Sequence, residues 1–294
     1  ASRAGARVAS CTFGLMEAIA WITGAGGLIG SQIVQAVPRE WMARGLTRTD
    51  FDLADFAGVR AAFVRERPQL IIHCAAMSKT GACEANPELA RLNNVEVTRV
   101  LCELATDIPL IFFSTDLVFD GTRGHYTEAD TPNPLNVYAR TKLDAERVVL
   151  ANPRHTVVRT SLNAGVTARG DAFNELWRAT WQRGETLSLF TDEFRCPLAA
   201  EVTARAVWEL AAAEQPGLYH LAGAERLSRF EIGELLAARW PQLQPRLHRD
   251  SVRNFIGPRR SPDCSVDITK IQRVLRTPLP KFSAWLAANP SSRF

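Results

Sequence analysis

Short apolar runs alternate with longer stretches of helical periodicity through the first half of the chain. One run, Leu70–Cys74, is apolar almost throughout, as in a parallel strand that is covered on both faces. The predicted strands are Ala18–Thr23, Arg44–Thr47, Leu70–Cys74, Leu110–Thr115 and Thr156–Arg159, and the predicted helices are Leu28–Val37, Phe56–Arg65, Pro87–Ala105 and Val137–Leu150. This alternation predicts βαβ units with right-handed crossovers, so residues 16–160 are expected to form an α/β domain with a doubly wound parallel sheet (Rossmann).

The pattern changes after about residue 160, where Pro- and Gly-containing connections separate the elements. The predicted helices there are Ala172–Gln182, Ala200–Ala213 and Arg229–Arg239, and the predicted short strands are Thr186–Phe190 and Leu218–Leu221. Residues 161–294 are therefore expected to be a smaller α+β substrate-binding lobe, interleaved with the first domain. The arginine-rich run Arg246–Arg260 is predicted to be a solvated loop, with anion binding as the alternative. Residues 1–15 have no regular pattern and are expected to be cloning-derived residues or an upstream extension.

Composition narrows the protein class without identifying a function. The 294 residues are 46% hydrophobic and 22% charged, which excludes a disordered chain and a disulfide-stapled miniprotein. The net charge of +4 is too small to indicate nucleic acid or an anionic membrane as a partner, and no apolar run is long enough to span a bilayer. The six cysteines form no CxxC pair and the five histidines form no HxxxH group. These features predict a cytoplasmic protein with reduced thiols and without a metal site.

A glycine-rich turn follows the first predicted strand and precedes the first predicted helix. Gly24, Gly27 and Gly30 have GxxGxxG spacing. Glycine permits a sharp turn, close approach of the backbone to a diphosphate, and close packing of the helix on the strand. The helix N-terminus adds unpaired N–H groups and the positive end of the helix dipole. The first domain is therefore predicted to bind NAD(P).

The end of the second predicted strand suggests which dinucleotide is preferred. Thr47 and Arg48 stand near the position where an acidic residue would contact the ribose 2′-hydroxyl of NAD, and Asp50 and Asp52 come only later. A guanidinium can bind a 2′-phosphate through two hydrogen bonds. We therefore expect NADP(H) to be preferred and NAD(H) to remain possible; Arg48 as an ordinary exposed arginine is the alternative.

Tyr138 and Lys142 lie at i and i+4 near the start of a predicted helix, so their side chains share one face. The whole chain has only three tyrosines and four lysines, which makes this pairing improbable by chance. A nearby ammonium is expected to lower the pKa of the phenol, which would make Tyr138 a usable proton donor or acceptor. A surface Tyr/Lys pair is the alternative.

Ser114, Thr115 and Asp116 stand at the carboxyl end of a predicted strand, where ligands bind in open α/β sheets. A hydroxyl at this position could hydrogen-bond a carbonyl oxygen beside the phenol of Tyr138. Taken alone, these residues could equally cap a helix or form a turn.

Together these motifs resemble the extended short-chain dehydrogenase/reductase superfamily, and within it the dTDP-4-dehydrorhamnose reductase family. The resemblance runs from about Glu17 to Ala288 and is densest in STDLVFDG and YTEADTPNPLNVYARTKLDAE, which together span Ser114–Glu146. Other matching segments are Asp50–Asp55, His73–Ala76, Asn94 with Thr98, Arg159–Ser161, Asp192–Pro197 and Gly217–Ser228.

The resemblance implies a role for each matching position. Tyr138 would be the proton donor, Lys142 would hold the nicotinamide ribose and tune Tyr138, and Thr115 would polarise the substrate carbonyl. Together with Gly24, Gly30 and Arg48 from the sequence pattern, the cofactor-binding residues would be Gly27, Leu28, Ile29, Asp52, Leu53, Cys74, Ala75, Ala76, Tyr138 and Lys142. The substrate-binding residues would be Thr115, Asp116 and Leu162. The implied activity is NADP(H)-dependent reduction of a nucleotide-linked 4-keto-6-deoxysugar, by an enzyme that could be a homodimer.

Three positions depart from the family pattern. Leu162 follows Arg159–Ser161 where a tryptophan is typical, Ala139 replaces a glycine, and Asp192–Pro197 differs from the run expected of a rhamnose-forming enzyme. These departures bear on the identity of the sugar and leave the hydride chemistry plausible. The chain also resembles the regulatory β subunit of methionine adenosyltransferase, which acts by binding a partner, and sugar-nucleotide epimerases and dehydratases of the same superfamily. Both remain alternatives.

Overall fold

Six parallel strands form the central sheet of the protein, for which a computed structural model describes residues 18–50, 52–292 and 294. The strands of this sheet are β1 (Ala18–Thr23), β2 (Trp41–Leu46), β3 (Leu70–His73), β4 (Leu110–Thr115), β5 (Thr156–Thr160) and β10 (Gly217–Leu221). Their spatial order is β2-β1-β3-β4-β5-β10. The chain reverses direction across the sheet between β1 and β3, and such a switch point opens a crevice at the carboxyl ends of the strands.

Helices cover both faces of this sheet. The helices are α1 (Leu28–Gln35), α2 (Phe56–Glu66), α3 (Thr80–Ala85), α4 (Pro87–Arg91), α5 (Val97–Leu104), α6 (Val137–Leu150), α7 (Phe173–Gln182), α8 (Ala200–Ala213), α9 (Arg229–Arg239), α10 (Thr269–Gln272) and α11 (Phe282–Ala288). Alternate residues of β1 face opposite cores: Trp21 packs with residues of α2, α5 and α6, whereas Ala20 and Ile22 pack with residues of α1 and α8. The doubly wound α/β class is therefore confirmed.

The remaining strands form three two-stranded pairs outside the main sheet. They are β6 (Asn163–Ala164) with β9 (Leu198–Ala199), β7 (Thr186–Phe190) with β12 (Arg246–Asp250), and β8 (Phe194–Arg195) with β11 (Leu227–Ser228). Within the described part of the chain, no helix has both the length and the apolar character needed to cross a bilayer. The prediction for residues 1–15 lies outside the described residues.

The C-terminal half differs from prediction in the place of one short strand and in the conformation of one loop. Leu218–Leu221, predicted for the smaller lobe, belongs to β10 and pairs with β5 in the main sheet, from Gly217↔Thr156 to Leu221↔Thr160. The first five residues of the predicted loop Arg246–Arg260 form β12, which pairs in parallel with β7. Local pattern predicted the strand conformation of Leu218–Leu221 but not its partner strand. The partner of this strand and the conformation of Arg246–Asp250 both depend on pairing with a distant segment, which local sequence pattern does not contain. The division into two lobes at residue 160 remains a prediction.

The predicted helix Pro87–Ala105 is interrupted by a π-helical turn, Leu92–Glu96, between α4 and α5. This turn contains Asn94, which is 1% exposed. The Asn94 side chain accepts a hydrogen bond from the Met77 backbone N–H at 2.8 Å and donates to Thr141 Oγ1 at 2.9 Å. The irregular turn thus holds the segment after β3 against α6, and such turns are frequent beside functional sites.

Candidate active site

The residues singled out from sequence converge at the carboxyl edge of the main sheet. In this edge Thr23 of β1 pairs with His73 of β3, and Thr115 of β4 pairs with Thr160 of β5. The N-termini of α1 and α6 point to the same region, because each follows the carboxyl edge in the chain. The edge therefore combines the N-terminus of α1, the ends of four strands and the Tyr138-bearing helix α6.

The glycine turn between β1 and α1 is shaped by close backbone packing. Gly24 has φ +68°, and a Cβ there would lie 2.7 Å from the Ala75 backbone nitrogen. A Cβ on Gly30 would collide with the carbonyl oxygen of Gly24. Both positions therefore require glycine, for the conformation of the turn and for the packing of α1 on it.

The N-terminus of α1 fits a diphosphate group. Its N-cap, Gly27, has no side chain that could bond the first N–H groups of the helix, and the first turn contains no acidic residue. The N–H groups of Leu28, Ile29 and Gly30 occupy the first three helical positions, which have no partner within a helix. Together with the dipole of α1, these groups can hold the diphosphate of a dinucleotide.

Thr47 and Arg48 lie directly after β2, next to the glycine turn. A Cβ on Gly26 would lie 3.9 Å from Thr47 Cγ2, and Arg48 is exposed. Asp50 comes after the position expected for an acidic residue that contacts the ribose, but in the structure it folds back toward Thr47. Its carboxylate accepts hydrogen bonds from Thr47 N and Thr47 Oγ1, both at 2.7 Å. These bonds lower the pKa of Asp50. A guanidinium and a carboxylate therefore both flank the end of β2.

The other expected cofactor residues line the neighbouring strand ends. Asp52 is exposed and accepts the Ala54 N–H at 3.0 Å, and Leu53 packs on the core beneath α2. Cys74, Ala75 and Ala76 follow β3 and are half-buried. The Ala75 N–H donates to Thr23 Oγ1 at 3.2 Å, which ties the end of β3 to the end of β1.

Tyr138 and Thr115 meet where α6 crosses the end of β4. Tyr138 is half-buried, and Thr115 is 6% exposed. Burial raises the pKa of Tyr138, and the side-chain hydrogen bond with Thr115 works in the opposite direction. The expected lowering of this pKa by Lys142 is therefore wrong, because desolvation of the phenol outweighs the favourable interactions around it. Tyr138 is thereby kept in its protonated form.

Lys142 lies one helical turn beyond Tyr138 and is 2% exposed. Its Nζ lies 3.9 Å from the centroid of the Phe112 ring. Burial lowers the pKa of Lys142 to about 7, while the negative charge of Glu146 opposes that shift. Lys142 is thus a buried cation whose charge state changes near neutral pH.

Asp116 connects the carboxyl edge of the main sheet to the segment around β8. It is 4% exposed and accepts a hydrogen bond from Ser161 Oγ at 2.6 Å, and Arg195 Nε lies 3.8 Å from its Oδ2. Burial raises the pKa of Asp116, with the positive charge of Arg195 opposing the shift. Leu162 follows Ser161, is half-buried and packs partly on the main core.

Arg260 and Arg195 surround a buried carboxylate, that of Glu193. Glu193 is 1% exposed and accepts hydrogen bonds from Arg195 at 2.9 Å and from Arg260 at 2.8 Å. The last residue of the arginine-rich run is therefore a half-buried ion-pair partner of a buried carboxylate, which corrects its prediction as part of a solvated loop. No sequence signal links positions 193 and 260.

Three further polar residues at this edge were missed by the sequence analysis as functional candidates. His73 Nδ1 lies 2.7 Å from Thr23 Oγ1 and its Nε2 lies 3.0 Å from Thr98 Oγ1. Burial lowers the pKa of His73 to about 3, so the ring is neutral. Asn136 caps α6 by accepting the Ala139 N–H at 2.9 Å, a role that an Asn before a predicted helix could have suggested. The third missed residue is Glu146, which lies on α6.

Comparison with known proteins shows a family match along nearly the whole chain. The family model of the RmlD substrate binding domain matches residues 19–289. The probable low-salt glycan biosynthesis reductase Agl14 of Haloferax volcanii is 31% identical over 293 residues, covering 92% of this chain and 96% of that protein. The methionine adenosyltransferase 2 subunit beta of Xenopus laevis is 33% identical, covering 74% of this chain and 71% of that protein.

Solved structures share the fold. The crystal structure of dTDP-4-dehydrorhamnose reductase from Bacillus anthracis in complex with NADP superposes with a TM-score of 0.87 at 23% identity. The superposition covers 93% of this chain and 98% of that one.

Proposed function

Because the chain belongs to the RmlD substrate-binding domain family, that of proteins like dTDP-4-dehydrorhamnose reductase, we propose that it is an NADP(H)-dependent reductase of a nucleotide-linked 4-keto-6-deoxysugar. The observation that carries the proposal is the meeting of Thr115 and Tyr138, with Lys142 one turn behind, at the sheet edge that also holds the glycine turn. In open α/β sheets this edge is where ligands bind.

In the proposed reaction, a nicotinamide cofactor held at this edge would supply the hydride for the carbonyl carbon of the substrate. Tyr138 donates its phenolic proton to the carbonyl oxygen, and its raised pKa keeps that proton available at neutral pH. Thr115 hydrogen-bonds the same oxygen and fixes the carbonyl beside Tyr138. Lys142 contacts the nicotinamide ribose and stabilises the phenolate that proton donation leaves behind. Asp116 and Leu162 contact the sugar.

The proposed cofactor contacts follow the geometry of the glycine turn and the strand ends. Gly24, Gly27, Leu28, Ile29 and Gly30 hold the diphosphate. Arg48 binds the 2′-phosphate of NADP(H), while Asp52, Leu53, Cys74, Ala75 and Ala76 line the adenosine and the path toward the nicotinamide. NADP is the cofactor named in the complex of the Bacillus anthracis enzyme. NAD(H) remains usable in this proposal because the Asp50 carboxylate also flanks the end of β2.

A panel of nucleotide-linked 4-keto-6-deoxysugars, assayed with NADPH and with NADH, tests the proposal. The expected result is oxidation of NADPH that depends on at least one panel member. The absence of turnover with every sugar and both cofactors would overturn it.

A regulatory role is the second candidate, favoured by the 33% identity to a methionine adenosyltransferase β subunit. Under this alternative the chain binds NADP(H) and a synthetase subunit without turning over a sugar. Binding of the purified chain to a methionine adenosyltransferase catalytic subunit, measured beside the reductase assay, separates the two. Tight binding without turnover would favour the regulatory role.

A further inference from the structure

Glu146 forms a buried network with Arg159 and Ser114 on the side of α6 that faces the main sheet. It is 2% exposed and one helical turn beyond Lys142. Arg159 on β5 donates to it from Nε to Oε1 at 3.0 Å and to Oε2 at 3.2 Å, and from Nη2 to Oε2 at 2.7 Å. Ser114 on β4 donates to Oε1 at 2.5 Å. The carboxylate therefore joins α6 to the two strands that end at the site.

The network has a feature that a purely stabilising ion pair would not need. Arg159 Nη1 is buried and has no hydrogen-bond partner in the described part of the chain. Burying two charges is costly, and replacing such a pair by neutral residues is often neutral or stabilising. A net gain in stability therefore does not by itself account for this buried and incompletely bonded pair.

The carboxylate of this pair can serve Lys142, because the buried ammonium of Lys142 has no direct counter-ion among the described residues. Within the described residues, Nζ makes no hydrogen bond or ion pair, and its close contact is the face of the Phe112 ring. Glu146 is the acidic group whose charge acts on it most strongly. Charges separated by low-dielectric protein interact far more strongly than charges in water, so a carboxylate one turn away has a large effect.

The other polar groups around Lys142 do not replace Glu146. On α6, Tyr138 is protonated and neutral at neutral pH, since burial raises its pKa. From β3, His73 is neutral, and burial raises the pKa of the Cys74 thiol and keeps it uncharged. From β4, Ser114 carries no charge, and from β5 the Arg159 guanidinium faces Glu146.

We propose that Glu146 is a positioning residue that keeps the buried Lys142 ammonium charged one helical turn from Tyr138, with Arg159 holding the carboxylate in place. The functional meaning of this assignment rests on the proposed reductase activity, in which Lys142 contacts the cofactor ribose. The coupling between Glu146 and Lys142 is a property of the protein alone and can be measured without substrate.

Lysine NMR provides that measurement, because the chain has only four lysines. In protein labelled in the lysine side chains, the ε-carbon signal reports the charge of each amine, and Lys142→Met identifies the Lys142 signal. Lys79, Lys270 and Lys281 are exposed and serve as internal references. The native Lys142 signal is expected to titrate at a pKa of about 7.

Glu146→Gln removes the charge and keeps the size of the side chain. We expect the Lys142 transition to move to lower pH by about one unit or more, a tenfold change in its ionisation constant. The matched control, Ser114→Ala, removes one hydrogen bond to Glu146 and leaves both charges, so its transition should stay at the native position. An unchanged transition in Glu146→Gln, or an equal shift in Ser114→Ala, would overturn the proposal.

The double variant Glu146→Gln/Arg159→Met covers the case in which the single variant does not fold, because it leaves no buried guanidinium unpaired. This variant also removes the repulsion between Arg159 and Lys142, so the Lys142 transition should lie at lower pH than in the native chain by a smaller amount than in Glu146→Gln. A transition at or above the native pH would overturn the proposal. Sugar turnover tests the proposed function separately. Native protein without turnover, but with the shift in Glu146→Gln, would refute the reductase and leave the Glu146–Lys142 coupling standing.

Discussion

Burial acts on Tyr138 and Lys142 in the same sense, since it favours the uncharged form of each. It raises the pKa of Tyr138 and lowers the pKa of Lys142 to about 7. A protonated phenol suits a proton donor in ketone reduction, whereas the lysine must stay charged to stabilise the phenolate. The two residue types and their i, i+4 spacing could be predicted from sequence. The direction of the Tyr138 shift could not, because it depends on how deeply α6 buries the phenol.

The first residue-scale prediction concerns the pH dependence of reduction. Lys142 is charged below a pKa of about 7 and loses its proton as pH rises through that value. We therefore expect kcat/KM for ketone reduction to fall as pH rises above about 7. Initial rates at low substrate concentration measure this limb, which belongs to the free enzyme. A profile that stays flat well above neutral pH would show that the charge of Lys142 is not required.

A second residue-scale prediction concerns cofactor preference. Arg48→Ala removes the guanidinium proposed for the 2′-phosphate, and a hydrogen bond to a charged group contributes about 1.5–3 kcal/mol. We expect the ratio of NADPH to NADH affinity to fall by roughly tenfold or more. Asp50→Asn, which removes the nearby carboxylate, should raise the same ratio. Fluorescence titration of both cofactors checks this, and an unchanged ratio in Arg48→Ala would exclude the phosphate contact.

At the scale of elements, the local sequence pattern predicts correctly those helices and strands whose hydrophobic period and capping residues agree with the way the segment packs in the fold. The predicted bounds of Leu110–Thr115, Val137–Leu150, Ala200–Ala213 and Arg229–Arg239 agree with the structure. Asn136 before Val137 and the capping box of Ser228 with Glu231 give α6 and α9 defined starts. The π-helical turn at Leu92–Glu96 was missed, because its cause is the contact of Asn94 with the segment after β3.

The glycine turn gives the element-scale prediction. Gly30→Ala places a Cβ against the carbonyl oxygen of Gly24, so α1 must move away from the turn. We expect loss of NADPH binding together with a lower melting temperature. Gly81→Ala is the matched control, because a Cβ at this helical glycine meets nothing within 4 Å, and it should bind NADPH as the native chain does. Native binding by Gly30→Ala would exclude this turn as the diphosphate site.

At the scale of the whole molecule, ion pairs between distant segments join the strands around β8 to the carboxyl edge of the main sheet. Glu193 pairs with Arg195 beside it and with Arg260, 67 positions away in the chain. Arg195 in turn lies 3.8 Å from Asp116, next to Thr115. Sequence could indicate that Arg246–Arg260 is rich in charge. It could not indicate that Arg260 turns inward, because only the folded chain brings it to Glu193.

The prediction at this scale concerns stability. Glu193→Gln leaves Arg195 and Arg260 without their carboxylate, and breaking a buried ion pair costs about 3–5 kcal/mol. We expect a clear fall in melting temperature. Glu185→Gln is the matched control: its pair with Arg183 is more than half exposed on both sides, so the melting temperature should not change. Equal effects of the two substitutions would contradict the assignment of Glu193 as an internal anchor.

The Glu193 carboxylate also makes the stability of the protein depend on pH in the acidic range. Burial would raise the pKa of Glu193, but Arg195 and Arg260 outweigh burial and lower it. A group whose pKa is lowered by folding stabilises the protein above its unfolded pKa, about 4.3 for glutamate, and that stabilisation is lost as pH falls further. Melting temperature should therefore fall below about pH 4 less steeply in Glu193→Gln than in the native chain.

The central claim is that Tyr138 donates a proton to the ketone of a nucleotide-linked sugar. The most direct test is the rate of NADPH oxidation with the keto-sugar panel, measured for the native chain and for Tyr138→Phe beside NADPH affinity. We predict turnover by the native chain, a rate lower by at least ~100-fold in Tyr138→Phe, and nearly unchanged affinity for NADPH. An equal rate in the two proteins would contradict the claim.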